Sequence, residues 1–183
     1  IAPHDKNIIE EVKKIRNVTD VSFDGPKANI EIIGDKIDEA YLRNVVSLHL
    51  SPEIVKRQHN MGIVYTPIHG TGVKLVPEAL KRFGFTNIIR VPGQEVNDGN
   101  FPTVRSPNPE EHAALQMAID KATETGADLV MGTDPDGDRV GIAVKDRNGR
   151  YVLFNGNQTA TVLMFYLLSQ WKSRNKLKGR EFI

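Results

Sequence analysis

Apolar positions along the chain switch repeatedly between two periods. Ile8, Ile9, Val12 and Ile15 recur at helical spacing within Asp5–Ile15, whereas Ala28–Ile33 alternates in the manner of a short strand ahead of Asp35, a helix-capping residue type. A helix is expected over Ile37–Leu50, and Ser51-Pro52-Glu53 should open another through Gln58, because Ser suits the cap, Pro the first turn and Glu the positive end of the helix dipole. Short apolar runs then alternate with longer helical patterns: strand Met61–Tyr65, helix Gly72–Phe83 stopped by Gly84, strand Asn87–Val91, helix Glu110–Thr125 stopped by Gly126. Asp128–Gly132 and Arg139–Val144 read as strands joined by a loop too short for a crossover, so they must be antiparallel, while strands separated by helices should be parallel. Tyr151–Phe154 extends the sheet edge through a turn at Asn148-Gly149, and Asn155-Gly156-Asn157 breaks the chain before an apolar helix over Gln158–Trp171.

The fold expected is therefore α/β, a three-layer α/β/α sandwich with a mixed, mostly parallel sheet whose last strand is antiparallel. Three segments are expected: residues 1–37 leading in from a preceding domain, 38–154 as the α/β domain, and 155–183 as the start of a following one. Ile1 is not a methionine and Arg180-Glu181-Phe182-Ile183 reads as a strand just beginning, so both ends are expected to be cuts in a longer chain.

Composition narrows the function classes. Charged residues make up 26% and apolar ones 39%, with a formal net charge of +1, which argues against both disorder and a nucleic-acid-sized basic field. No cysteine is present, so neither a disulfide framework nor a thiolate metal site is available. No apolar run approaches the roughly 20 residues of a membrane-spanning helix. A soluble, cytoplasmic protein without nucleic-acid or membrane partners is expected.

The chemistry concentrates in Gly132-Thr133-Asp134-Pro135-Asp136-Gly137-Asp138-Arg139. Three carboxylates at alternate positions in one tight loop repel one another, and a divalent cation relieves that repulsion. An oxygen-only donor set favours a hard ion such as Mg²⁺ over zinc or copper. Pro135 fixes one backbone dihedral and Gly137 permits a conformation that a side chain resists, so both help wrap the loop around a point. Arg139 places a guanidinium beside the ion, a pairing that suits a phosphoryl group. An EF-hand is excluded, since counting from Asp134 its sixth and twelfth positions hold Arg139 and Lys145 rather than Gly and Glu. A solvated acidic turn, the Asp-x-Asp loop of a metal-dependent sugar-nucleotide transferase and a non-catalytic metal-stabilised interaction domain stay open at this point.

Thr133-Asp134-Pro135-Asp136-Gly137-Asp138-Arg139 followed by Val140-Gly141-Ile142-Ala143-Val144 resembles the metal-binding loop of the α-D-phosphohexomutases, the phosphoglucomutase and phosphomannomutase superfamily. Thr66-Pro67-Ile68-His69-Gly70-Thr71-Gly72 and Asp98-Gly99-Asn100-Phe101-Pro102 resemble second-domain segments of the same family, so the likeness extends over about residues 38–160. The resemblance implies that Asp134, Asp136 and Asp138 are Mg²⁺ ligands and that Arg139 is a catalytic residue holding the transferring phosphoryl group. It also implies a phosphosugar substrate, a bisphosphate intermediate, and a phosphoserine carried by another domain of the same chain. The product would be a sugar phosphate isomerised between its 1- and 6-positions, in carbohydrate metabolism. None of Ser22, Ser47, Ser51, Ser106, Ser169 or Ser173 lies in the family's nucleophile motif, so this segment alone is expected to be inactive.

Several features attract blander readings. His69, at a strand end, is more often a hydrogen-bonded structural residue than an acid or base. Gly70-Thr71-Gly72 could offer N–H groups to an anion, but a plain strand-to-helix turn explains it as well. Asp98-Gly99 reads as a turn, and Arg105-Ser106-Pro107-Asn108-Pro109 as a helix-capping loop. Lys172, Arg174, Lys176, Lys178 and Arg180 read as a solvated basic face, and Trp171, on what should be a buried helix side, as packing against a missing domain rather than stacking on a sugar. By the rule that ligands gather beyond the carboxyl ends of parallel strands, His69, Asp98 and the aspartate loop should share one crest.

Overall fold

A computed structural model describes residues 1–25 and 30–181. It divides into two compact units, Ile1–Ile37 and Asp38–Ile183. The first carries helix α1 (His4–Lys14), matching the Asp5–Ile15 periodicity. Of the strand expected over Ala28–Ile33, Ala28 and Asn29 lie outside the described residues. Ile30–Ile33 forms no strand; Ile30, Ile32 and Ile33 stand exposed. Alternation signals a half-buried strand, but a ladder partner is what makes one. Phe182 and Ile183, at the expected terminal strand, likewise lie outside the described residues.

Helices α2 (Asp35–Ser47) and α3 (Pro52–Arg57) precede the sheet. Asp35 is the first helical residue rather than the cap, and the Ser51 hydroxyl pairs with the Tyr166 hydroxyl at 2.6 Å instead of capping α3. The sheet then builds from β1 (Ile63–Thr66), α4 (Gly72–Phe83), β2 (Ile88–Arg90), α5 (His112–Thr125), β3 (Leu129–Thr133), β4 (Val140–Lys145) and β5 (Tyr151–Phe154), followed by α6 (Gly156–Ser173). Strand order is β2-β1-β3-β4-β5. β1 pairs parallel with β2 and β3, while β3–β4 and β4–β5 are antiparallel. Register Thr66↔Gly132 and Thr133↔Val140 brings the carboxyl ends of β1 and β3 level, so the loops leaving them emerge side by side.

All four residues of β1 are buried, which requires cover on both faces. On one face Val64, Val130 and Ala143 pack with Leu115, Ala118, Ile119 and Ala122 of α5. By alternation Ile63 and Tyr65 face the other way, and they too are inaccessible to solvent. The two Gly stops behave as read: Gly84 (φ 112°) and Gly126 (φ 70°) end α4 and α5 in the left-handed conformation. Pro77, inside α4, has no N–H for the Val73 carbonyl, and Arg90 Nη2 donates to that oxygen instead at 2.8 Å. Asn155 caps α6 by accepting from Gln158 N at 2.9 Å while Gln158 Oε1 accepts from Asn155 N at 3.0 Å, so the expected chain break is a capping box.

Helix α6 is largely uncovered. Val162, Leu163, Phe165, Leu167 and Trp171 are exposed, and only Thr159 is buried. Trp171 borders an open groove of about 260 Å³ with Leu163, Met164, Leu167 and Leu168, so nothing among the described residues covers that side of the helix.

Candidate metal centre

Asp134 follows directly on β3, whose ladder partner β4 begins at Val140, so the loop has only six residues in which to turn. Its closure is local: Gly137 N donates to Asp134 O at 3.1 Å, Gly137 takes a φ of 75°, and Asp134 Oδ1 accepts from Arg139 N at 2.9 Å. The consequence is convergence. Asp134, Asp136 and Asp138 each bring a carboxylate oxygen within 4.8 Å of the other two, with Asp134 buried and the others exposed. The Arg139 guanidinium hangs over them loosely, its Nε 3.9 Å from both Asp134 Oδ2 and Asp138 Oδ1.

Electrostatics mark the cluster as short of positive charge. Burial pushes the Asp134 carboxyl up, but the Arg139 backbone N–H, hydrogen bonds with Asp138 and Asp136, and the Arg139 guanidinium together hold it below the ordinary carboxylate range. Asp138 moves the other way: its hydrogen bond to Asp134, then the negative charges of Asp136 and Asp134, push it up. A cation seated among the three oxygens favours the ionised form of all of them. Only carboxylate oxygens converge here, the donor set of a hard cation.

The loop leaving β1 lies directly against this centre. Thr71 N and Thr71 Oγ1 both donate to the Pro135 carbonyl, at 2.8 and 3.1 Å. Gly70 N donates to Pro67 O at 2.9 Å, so two N–H groups of the Gly-Thr-Gly turn, those of Gly70 and Thr71, are committed to protein carbonyls, as in a strand-to-helix turn. His69, 4% exposed, has both ring nitrogens engaged, Nδ1 with Val96 O at 2.9 Å and Nε2 with Thr103 Oγ1 at 2.8 Å. It ties the 96–103 segment to the β1 loop, the contacts of a structural residue. Asp98 closes an Asx turn, its Oδ1 accepting from Asn100 N at 2.9 Å. Ser106 Oγ donates to Glu111 Oε1 at 2.8 Å and Asn108 Oδ1 accepts from Glu110 N at 3.1 Å, which makes Arg105–Pro109 the lead into α5.

Sequence reasoning passed over Gln94, the hub beneath the site. Fully buried, it accepts from Thr66 Oγ1 at 2.7 Å and donates through Nε2 to Thr103 Oγ1 and Ala114 O at 3.1 and 3.3 Å, while its carbonyl accepts from His69 N at 2.8 Å. Nothing in Pro92-Gly93-Gln94-Glu95 distinguishes it from an exposed turn residue; the signal is entirely in its long-range partners. Tyr65 was likewise unmarked. Its hydroxyl lies 2.9 Å from Thr133 Oγ1, and burial pushes the phenol up, so it stays protonated.

Comparisons with known proteins agree with this geometry. Residues 39–149 match the family model described as phosphoglucomutase/phosphomannomutase, alpha/beta/alpha domain II. The chain is 43% identical over 111 residues to a phosphoglucomutase of Staphylococcus aureus (strain MRSA252), and 42% identical over 111 residues to that of strain USA300; in each case 61% of this chain and 20% of the relative are covered. It therefore spans about a fifth of the length of the curated relatives it matches. A crystal structure from Thermus thermophilus, of a protein provisionally assigned as a phosphomannomutase, superposes with a TM-score of 0.57 at 23% identity over 73% of this chain and 29% of that one, a likeness of fold. Two parallel strands brought level, a carboxylate loop between β3 and β4, and a family match running through both place the chain in the phosphoglucomutase/phosphomannomutase family, as its α/β/α domain II.

Proposed function

We propose that this domain is the Mg²⁺-binding part of a phosphosugar mutase, which interconverts sugar 1-phosphate and sugar 6-phosphate through an enzyme phosphoserine and a bisphosphate intermediate. The observation that carries the reading is the convergence of three carboxylates within 4.8 Å beside Arg139, in a chain of this family. Asp134, Asp136 and Asp138 would hold the ion. When bound, it supplies Lewis-acid chemistry to the transferring phosphoryl group. Asp134, packed at the strand end, fixes the depth of the site, and Asp136 and Asp138, both exposed, face the direction from which a substrate can approach. Arg139 is free to swing because its ion pairs are long and its side chain is 61% exposed, so it can pair with equatorial phosphoryl oxygens without a large desolvation cost beforehand.

The transferase alternative uses Asp134 and Asp136 only and leaves Asp138 and Arg139 without a task, so the mutase reading accounts for more of the loop. In this reading residues 38–154 form the metal-binding domain, 1–37 lead into it, and 155–183 begin the next domain. That the family match stops at 149 and that α6 presents an uncovered apolar face support the last of these. Partners are the phosphosugar, its bisphosphate and the domain of the same chain bearing the phosphoserine. Cytoplasmic residence is part of the proposal; among the described residues no helix is long and apolar enough to cross a membrane.

The test is turnover. A chain extended to the length of its relatives converts glucose 1-phosphate when primed with a sugar bisphosphate, and residues 1–183 alone do not, because in-line transfer needs donor, acceptor and metal together. Turnover by residues 1–183 would place a nucleophile here and overturn the division of roles. The ion has its own readout: Mg²⁺ raises the melting temperature above the value in Na⁺ of equal ionic strength, and the difference vanishes when all three aspartates become Asn. An equal response to both salts would reduce the site to general screening.

A further inference from the structure

The residues on either side of Asp134 are gripped by one neighbouring segment. Thr133 is held through its hydroxyl by Tyr65 at 2.9 Å, in space that Gly72 leaves open: a Cβ on Gly72 would lie 2.9 Å from Thr133 Oγ1 and closer still to the Tyr65 hydroxyl. Pro135 is held through its carbonyl by Thr71 N and Oγ1. Gly70 permits that approach, since a Cβ there would stand 2.6 Å from Pro135 O and overlap Pro135 Cα, backbone against backbone with no side chain able to yield.

The gripping segment is itself rigid and strained. Ile68 (φ 46°) and His69 (φ 63°) both occupy the left-handed region, which non-glycine residues and β-branched ones especially avoid. Buried hydrogen bonds hold them there: Ile68 N to Thr66 Oγ1 at 3.1 Å, His69 N to Gln94 O, and the two imidazole contacts to Val96 and Thr103. A strained turn this well anchored is an abutment rather than a linker, and what it abuts is the residue between two of the three clustered aspartates.

We infer that Gly70 and Thr71 are positioning residues for the metal centre: by fixing Pro135 they set the spacing of Asp134 and Asp136, and so determine cation affinity without touching the ion. This rests on the metal reading above. Partners that orient a metal's ligands commonly matter for affinity by about ten- to a hundredfold, because a working site is held within roughly 0.5 Å of its productive geometry.

The experiment measures Mn²⁺ affinity, from the electron paramagnetic resonance amplitude of the free ion, and the metal-free melting temperature, in wild type, Gly70→Ala, Thr71→Val, Thr71→Ser and Asp136→Asn. Gly70→Ala should weaken Mn²⁺ binding about tenfold or more. Thr71→Val, which removes one donor and keeps the shape, should weaken it several-fold, and Thr71→Ser, which restores the hydroxyl, should bind as wild type does. A purely structural role would lower the metal-free melting temperature and leave the affinity unchanged. Wild-type affinity in both Gly70→Ala and Thr71→Val, alongside loss in Asp136→Asn, overturns the positioning role and leaves the metal site standing. No Mn²⁺ binding by wild type, or none lost in Asp136→Asn, overturns the metal reading and this inference with it. Should Gly70→Ala fail to fold, the contrast of Val with Ser at position 71 decides alone.

Discussion

Arg139→Ala, made in a chain extended to the full length of its relatives, lowers phosphosugar turnover by about a hundredfold or more, the usual consequence of removing a charge aimed at a developing anionic centre. The structure makes this a clean experiment. The Arg139 side chain is 61% exposed and its two ion pairs are 3.9 Å long, so little folding stability depends on it, while its backbone N–H, which closes the loop on Asp134 at 2.9 Å, survives the substitution. The carboxylate cluster should therefore persist, with Mn²⁺ affinity close to that of wild type. Steady-state assays that separate kcat from KM locate the loss: a fall in kcat assigns Arg139 to the transition state, and a rise in KM alone assigns it to ground-state phosphate binding. Turnover within a factor of two of wild type would remove Arg139 from the mechanism.

Leu115→Ala lowers the stability of the domain by about 3 kcal/mol, which for a chain of this size corresponds to a fall of roughly 6 to 12 °C in melting temperature. Leu115 is inaccessible to solvent and its Cδ2 occupies the place that a Cβ on Gly132 would take, so α5 sits down on β3 at that glycine. Gly132→Ala collides there and is destabilising in the wild-type background. In the Leu115→Ala background the added methyl enters the space the leucine vacated, and the double substitution should cost less than the sum of the two. Additive losses in thermal or denaturant unfolding would mean that the two residues do not share this contact. The effect reaches the site, because Gly132 lies two residues before Asp134 on the strand that α5 supports.

The elements legible in the sequence are those specified by neighbours in the chain. Gly84 and Gly126 stop their helices because the left-handed φ is a property of one residue, and the antiparallel β3–β4 pair follows from a loop too short to cross over. The aspartate loop belongs to the same class: three carboxylates at alternate positions, with Pro and Gly between them, lie in one short loop, which is why Asp134, Asp136, Asp138 and Arg139 could be singled out before any fold was known. Where alternation needed a partner strand, as at Ile30–Ile33, the sequence pattern predicted more order than the described residues show.

Only the tertiary structure decided what the residues around the loop do. His69 is a strut because Val96 and Thr103, 27 and 34 positions away, saturate its ring. Gln94 is a hub because Thr66 and Ala114 meet over it, and Gly70 is required because Pro135 comes to lie against it. The first two contacts join β1 to the segment that follows its parallel neighbour β2, and the third depends on the parallel alignment of β1 with β3, which brings together loops separated by more than sixty residues. The amino-acid sequence by itself determined the carboxylate set, since charge repulsion and backbone geometry act within a few bonds. The fold decided how rigidly that set is held, since burial, close backbone approach and saturated hydrogen bonding arise only between segments that packing has brought together.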